Sequence, residues 1–240
     1  MTDLLTGVLA AHGGLARWRG ASTLRATVTS GGPFWASKGH PDFAATDQVE
    51  ARLQEQHLRV TSSASGRVFV YSKKEDRVSV TEADGTVVAE LDNPRATFAG
   101  YTRDTEWSVA QLAYFRGYAL SHYFLEPYAF SWAGASAQEV DPWEEDGERW
   151  RVLSVTFPDS VDSHSRVQRY YFDSESLLRR MDYAPDVNGK SPVAHYVSGH
   201  QSVGGLVVPT QRRVHLRKED GTADRSWLPI SVDIRDVEIG

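Results

Sequence analysis

Two hydrophobic periods divide the chain. Residues 23–29, Thr-Leu-Arg-Ala-Thr-Val-Thr, alternate polar and apolar side chains, the period of a half-buried strand. Short runs of the same kind follow over 49–53, 57–61, 67–71, 77–81 and 86–91. The last two flank Ala83-Asp84-Gly85, a hairpin signal. Asn93-Pro94 breaks this pattern, and the apolar spacing then becomes helical. The spacing predicts a helix over 105–124, capped by Asp104 or Thr105 and ended by Pro127. Trp107, Gln111, Tyr114, Tyr118 and His122 form one of its stripes; Val109, Leu112, Phe115 and Ala119 form the next.

Period two returns over 150–157, 166–172, 177–183, 192–200 and 206–216, with a last strand near 230–234. Asp173-Ser174-Glu175-Ser176 and Gly204-Gly205 supply turns between them. Ahead of all this, Leu4, Leu5, Val8, Leu9 and Leu15 recur at helical spacing. Thr2 or Asp3 caps that helix, Gly13-Gly14 interrupts it and Gly20 stops it. About ten short strands joined mostly by hairpin turns suggest an antiparallel meander. No linker rich in Pro, Gly or Ser divides the chain. The expectation is one domain over residues 1–240, mostly β (α+β), a curved antiparallel sheet with helices against it.

Composition narrows the chemistry. There is no cysteine, so disulfides, thiolate zinc sites, iron–sulfur clusters and thiol catalysis are excluded. The formal net charge of -6, without a basic stripe, argues against nucleic acid as a partner. No apolar run is long enough to span a bilayer. Met1-Thr2-Asp3-Leu4-Leu5 has neither a basic stretch nor a long apolar run, and the expected compartment is the cytoplasm. The eight histidines are scattered, so no metal site is expected, and no cofactor is indicated. Asp159, Asp162 and His164 share one turn and Glu144-Glu145-Asp146 is a charge run; both read as solvated. No Gly-x-Ser-x-Gly elbow is present. Aromatics are abundant, with seven Trp, ten Tyr and nine Phe, enough to line an apolar pocket as well as a core.

The second meander carries Tyr170-Tyr171-Phe172-Asp173, then Leu177-Leu178-Arg179-Arg180-Met181-Asp182-Tyr183, then Gly204-Gly205-Leu206-Val207-Val208-Pro209-Thr210. This order resembles the LolA-like superfamily, the bacterial lipoprotein carriers and their relatives, and also similar uncharacterised bacterial proteins. The resemblance covers residues 150–216 in detail and the rest in element order. It implies an unclosed β-barrel with helices packed on its concave side, over an apolar cavity that family members use for acyl chains or other lipophilic ligands.

Strand parity then selects candidates. His195 shares a face with Val193 and Val197; Arg212 with Val208 and Val214; Tyr183 with Met181 and Arg179. If the apolar faces point inward, His195, Arg212 and Tyr183 do too, paired or functional. Tyr114, Tyr118 and His122 would give the helical roof polar tips. Phe34 and Trp35, between Gly32-Pro33 and Gly39-His40-Pro41, form either a lid or a segment tucked under the sheet. The leading reading is binding of a lipophilic small molecule or acyl chain by Trp35, Tyr114, Tyr118, His122, Tyr183, His195 and Arg212. A second is an enzyme of isomerase, cyclase or hydrolase type, with His195 as general base beside Tyr183 or Asp182; parity allows only one of these two to face it. A third is a protein-interaction module with exposed Trp35 and tyrosines as docking residues.

Overall fold

The computed structural model describes residues 2–41, 43 and 45–240. Helices α1 (Asp3–Ala11) and α2 (Leu15–Gly20) come first. Six strands follow: β1 (Thr23–Gly31), β2 (Ala45–Arg52), β3 (His57–Ser62), β4 (Val68–Ser72), β5 (Arg77–Thr81) and β6 (Val87–Asp92). Helix α3 (Val109–Leu125) crosses back before β7 (Ser136–Glu145), β8 (Glu148–Thr156), β9 (Val167–Phe172), β10 (Leu178–Tyr183), β11 (Val193–Val203) and β12 (Leu206–Arg217). The short β13 (Ala223–Asp224) and the long β14 (Ile230–Ile239) close the chain.

All fourteen strands belong to one antiparallel sheet, ordered β6-β5-β4-β3-β2-β1-β14-β12-β11-β10-β9-β8-β7, with β13 attached to β12. Two meanders are thus joined edge to edge by the C-terminal strand, which inserts between β1 and β12. The sheet curves without closing, and one continuous apolar core lies on its concave side. The mostly β, unclosed architecture expected from the sequence is present.

The helices divide the concave face between them. α3 lies over β2 to β6, and α1 meets β8 toward the other end. Thr2 caps α1 by accepting from the Leu5 amide at 3.2 Å, and Leu4, Leu5, Val8 and Leu9 are buried. α3 begins at Ser108 rather than near Thr105. Ser108 and Gln111 form a reciprocal capping box, which sequesters the first amides of the helix more fully than Asp104 or Thr105 would. Almost every residue of α3 is buried, because it carries core on one side and buried tyrosines on the other.

Three further features depart from the sequence reading. β7 was not anticipated, since its polar alternation, Ser136-Ala137-Gln138-Glu139-Val140, lies on a half-exposed edge. Glu145, expected in a solvated charge run, is instead a partner of Arg180 at 2.7 Å and of Arg225 at 2.9 Å. Arg179 does not follow Met181 and Tyr183 inward: a bulge between Leu178 and Arg180 shifts the register, and Arg179 pairs with Asp173 at 3.5 Å.

α3 can approach β4 closely only because position 117 lacks a side chain. A Cβ at Gly117 would collide with Cβ of Tyr71 and come within 2.7 Å of its Cγ. Gly117→Ala should therefore lower stability by about 1–3 kcal/mol, despite alanine's better helix propensity. Urea denaturation checks this, and an unchanged midpoint would refute the tight-approach account.

Candidate functional site

Between α3 and the central strands, the concave face is not closely packed. A cavity of about 140 Å³ opens there. Its floor takes residues from the five central strands: Ser30 of β1, Ile230 and Val232 of β14, Val214 and Leu216 of β12, Val193 of β11 and Tyr183 of β10. Its roof is Phe115, Arg116, Ala119, Leu120 and Tyr123 of α3. Phe34 and Trp35 wall one end, and Arg103, Asp104, Pro185, Asn188 and Trp227 form the mouth. Engineered apolar cavities of about 150 Å³ take benzene, so a six-carbon body fits within and a longer chain would extend through the mouth.

Trp35 is tucked under the sheet, not displayed. Only 3% of it is exposed, its indole N–H donates to the Gly31 carbonyl at 3.2 Å, and its ring packs on Phe43 and Phe115. Trp35 is therefore a cavity wall and not a surface docking residue. The turn that follows it is tied to the mouth by Lys38, whose ammonium donates to the carbonyls of Arg103 and Thr105. Burial pulls this lysine down to about 8.

Behind the cavity wall runs a buried chain of tyrosines and histidines. The Tyr118 hydroxyl meets His164 Nδ1 at 3.1 Å, and His164 Nε2 meets the Tyr123 hydroxyl at 2.8 Å. Tyr123 and Tyr183 hydroxyls lie 3.4 Å apart, and Tyr183 meets His195 Nδ1 at 3.0 Å. The rings of His164 and Tyr183 stack at 4.1 Å. Burial drives both histidines well below the usual range, so each is neutral at pH 7. Burial likewise raises all three phenols, which stay protonated. These groups offer neutral hydrogen bonds rather than charge. Arg212 lies against this chain, over the Tyr123 ring at 4.1 Å and donating to the Tyr123 carbonyl at 3.2 Å.

Arg212 also approaches the buried Glu126 at 3.5 Å, and Glu126 lies 3.4 Å from His122 Nε2. Burial pushes the Glu126 carboxyl up to about 7, against the pull of Arg212. Burial pushes His122 down to about 3; its Nε2 also meets the Tyr170 hydroxyl at 3.1 Å. A second polar node centres on Asp162, which accepts from Tyr71 at 2.9 Å and Tyr114 at 3.0 Å and pairs with Lys73 at 3.0 Å.

Of the seven residues chosen from the sequence, only Trp35 and Tyr183 border the cavity. Tyr118, His195 and Arg212 stand behind its wall, His122 beside Glu126, and Tyr114 at the Asp162 node. Inward parity held for His195, Tyr183 and Arg212. Asp182 faces the opposite side, paired with Arg180 at 2.7 Å, so it is no partner for His195. His195 does not border the cavity, and one of its nitrogens is held by Tyr183, a poor placement for a general base. His164 and Asp162 were expected in a solvated turn and are buried instead. Irregular backbone gave them no period to read; Asp159 of that turn is exposed as expected. Among the described residues no group of three or more His, Asp or Glu is placed to hold a metal ion. No helix among the described residues is long and apolar enough to cross a membrane.

The fold is shared with solved structures. A DUF1329 family protein from Desulfovibrio piger is 12% identical, with 99% of this chain and 93% of that chain covered and a TM-score of 0.55. A LolA superfamily protein from Nitrosomonas europaea is 12% identical, with 91% and 85% covered and a TM-score of 0.52. At such identities the likeness is one of fold: this chain has the LolA-like half-barrel. No protein-family profile matches the sequence, and no curated protein matches it.

The Asp162 node makes a direct prediction. Asp162→Ala would leave two buried phenols without their acceptor and Lys73 with only its longer contact to Asp76 at 3.7 Å. It should cost about 3 kcal/mol, the lower end for breaking a buried ion pair, because Lys73 retains some solvent. Chemical denaturation measures this, and a loss under about 1 kcal/mol would show that the node is dispensable.

A pH prediction follows from the histidines. His12, His57, His122, His164, His195 and His200 are all depressed from 6.5 by burial. A depressed histidine contributes stability that is present above 6.5 and lost as pH falls. Glu126 is raised from 4.5 to about 7, so its contribution is present below 4.5 and lost as pH rises through 7. Six groups oppose one, so unfolding takes up protons and stability should fall between pH 6.5 and 4.5. Glu126→Gln removes the opposing group and should steepen that fall. Denaturation midpoints across this range check both; a midpoint that rises on acidification would contradict them.

Proposed function

We propose that this protein binds a lipophilic small molecule or acyl chain in the cavity between α3 and the central strands. The observation that carries this reading is the cavity itself. Its walls are Phe34, Trp35, Phe115, Leu120, Val193, Val214 and Val232, with few polar atoms, and it opens to solvent at one end. A close-packed interior normally leaves few voids larger than a water molecule, so an open apolar cavity of this size is the exception that wants explaining. Burial of each ligand methylene there contributes about 0.8 kcal/mol, which needs no special chemistry. The LolA-like fold supports the same reading, since the resemblance implies a cavity used for acyl chains or other lipophilic ligands.

The test is native mass spectrometry of the purified protein before and after solvent extraction, then after incubation with dodecanoic acid. A bound mass that leaves on extraction, or a stoichiometric dodecanoate adduct, is the expected result. Ala119→Trp places an indole inside the cavity from a helical position and should abolish the adduct while the protein stays folded. An apo mass under all conditions, or an Ala119→Trp variant that binds as well as wild type, would overturn the proposal.

A further inference from the structure

The tyrosine–histidine chain holds one proton too many. Three phenol hydrogens and one N–H on each of two neutral imidazoles make five donors. The chain has four links: Tyr118 to His164, His164 to Tyr123, Tyr123 to Tyr183, and Tyr183 to His195. Each link consumes one hydrogen. If His195 carries its proton on Nε2, that N–H is the surplus, and Nε2 has no partner. If it carries the proton on Nδ1 and every link runs the other way, the Tyr118 hydroxyl is the surplus. Among the described residues neither position has another acceptor. A buried donor without an acceptor costs about 1–3 kcal/mol.

The weakest link lies at the cavity. A separation of 3.4 Å exceeds the ordinary 2.5–3.0 Å of a hydroxyl–oxygen bond. Tyr123 and Tyr183 both border the cavity and keep 7% and 5% of their surface open, whereas Tyr118 and His195 keep none. An acceptor entering between the two hydroxyls resolves the surplus. His195 Nδ1–H then donates to Tyr183, His164 Nε2–H donates to Tyr123, and Tyr118 donates to His164 Nδ1. Both cavity tyrosines are left free to donate to the newcomer, and all five hydrogens are placed. Only His195 Nε2 is left without a partner, as a bare acceptor.

We propose that the occupant of the cavity carries a carbonyl oxygen, which accepts hydrogen bonds from both Tyr123 and Tyr183. This rests on the ligand-binding reading above and adds a ligand class to it. The ligand is a lipophilic carbonyl compound rather than a plain hydrocarbon. A neutral oxygen suits the site, because every donor in the chain is neutral and burial penalises an anion.

The test uses a matched pair, acetophenone and its hydrocarbon isostere α-methylstyrene, which differ at the acceptor. Dissociation constants are measured by ligand-observed NMR for wild type, Tyr123→Phe and Tyr183→Phe. Each variant should lower the preference for acetophenone over α-methylstyrene by about two- to tenfold, the net worth of a neutral hydrogen bond, while α-methylstyrene affinity is retained. The carbonyl stretching band of acetophenone should move to lower frequency on binding wild type, and less so in each variant. If both compounds bind wild type with an unshifted band, and the preference is unchanged in both variants, the carbonyl assignment is overturned while the cavity stands. Failure of both compounds to bind wild type would overturn the cavity reading and this inference with it.

Discussion

One helix cannot roof this sheet. Thirteen strands in continuous order, at about 4.8 Å apiece, make a ribbon about 58 Å wide before it curls. A helix of 17 residues is only about 26 Å long. Curvature brings the two meanders toward each other but does not join β6 to β7. α3 is committed to the first meander by the contact between Gly117 and Tyr71, and α1 sits over the second. Over the central strands α3 stands off the sheet, and the cavity is the gap between its Phe115–Tyr123 face and those strands. Its existence follows from the geometry of the roof, not from any residue dedicated to making it.

The wall behind the cavity is as polar as the cavity is apolar. A buried network of this kind is stabilising only when its donors and acceptors are matched. Most of it is matched: Asp162 satisfies two phenols and a lysine, and His122 meets Tyr170. Unpartnered atoms remain at His122 Nδ1, Arg212 Nε and His195 Nε2, and of these groups the tyrosine–histidine chain is the one that reaches the cavity, through Tyr123 and Tyr183. Apolar packing alone would hold any lipophilic body of suitable size. A pair of fixed hydroxyls at one point of the wall adds orientation and a reason to prefer one chemistry over another, since buried polar groups left unpaired penalise the wrong ligand.

The sequence revealed the fold through period. Alternation marked most of the strands, and the change to helical spacing after Asn93-Pro94 marked α3. It revealed the inward direction of Tyr183, His195 and Arg212 for the same reason, because period two leaves a side chain only two choices. Where period fails, so did the reading. Asp162 and His164 lie in irregular backbone between β8 and β9, and nothing in Asp-Ser-His announces burial. Tyr123, one position beyond His122, fell outside both helical stripes, yet it reaches the cavity because α3 is buried nearly all round. Arg179 obeyed alternation on paper and was displaced by a bulge. The cavity was not legible at all, since it depends on how far α3 stands from the central strands.

That parity should be so secure in β10 has its own cause, on the convex face. Arg180 is fully buried there, forked onto Asp182 at 2.7 and 2.9 Å and bonded to Glu145 at 2.7 Å. Tyr171 adds a bond to Asp182 at 2.8 Å, and the Arg180 guanidinium lies over the rings of Trp143, Tyr171 and Tyr196. The segment carrying Gly221 closes over it and accepts from Arg180 at 2.6 Å. A one-residue slip of β10 would exchange its faces, bringing Arg180 and Asp182 into the apolar core and putting Met181 and Tyr183 among the ions. Both halves of that exchange are costly, as a buried guanidinium without its carboxylates costs several kcal/mol. The outer ion cluster thus acts on the inner site without touching it. By making the alternative register untenable, it holds the Tyr183 hydroxyl on the side where His195 and Tyr123 can meet it.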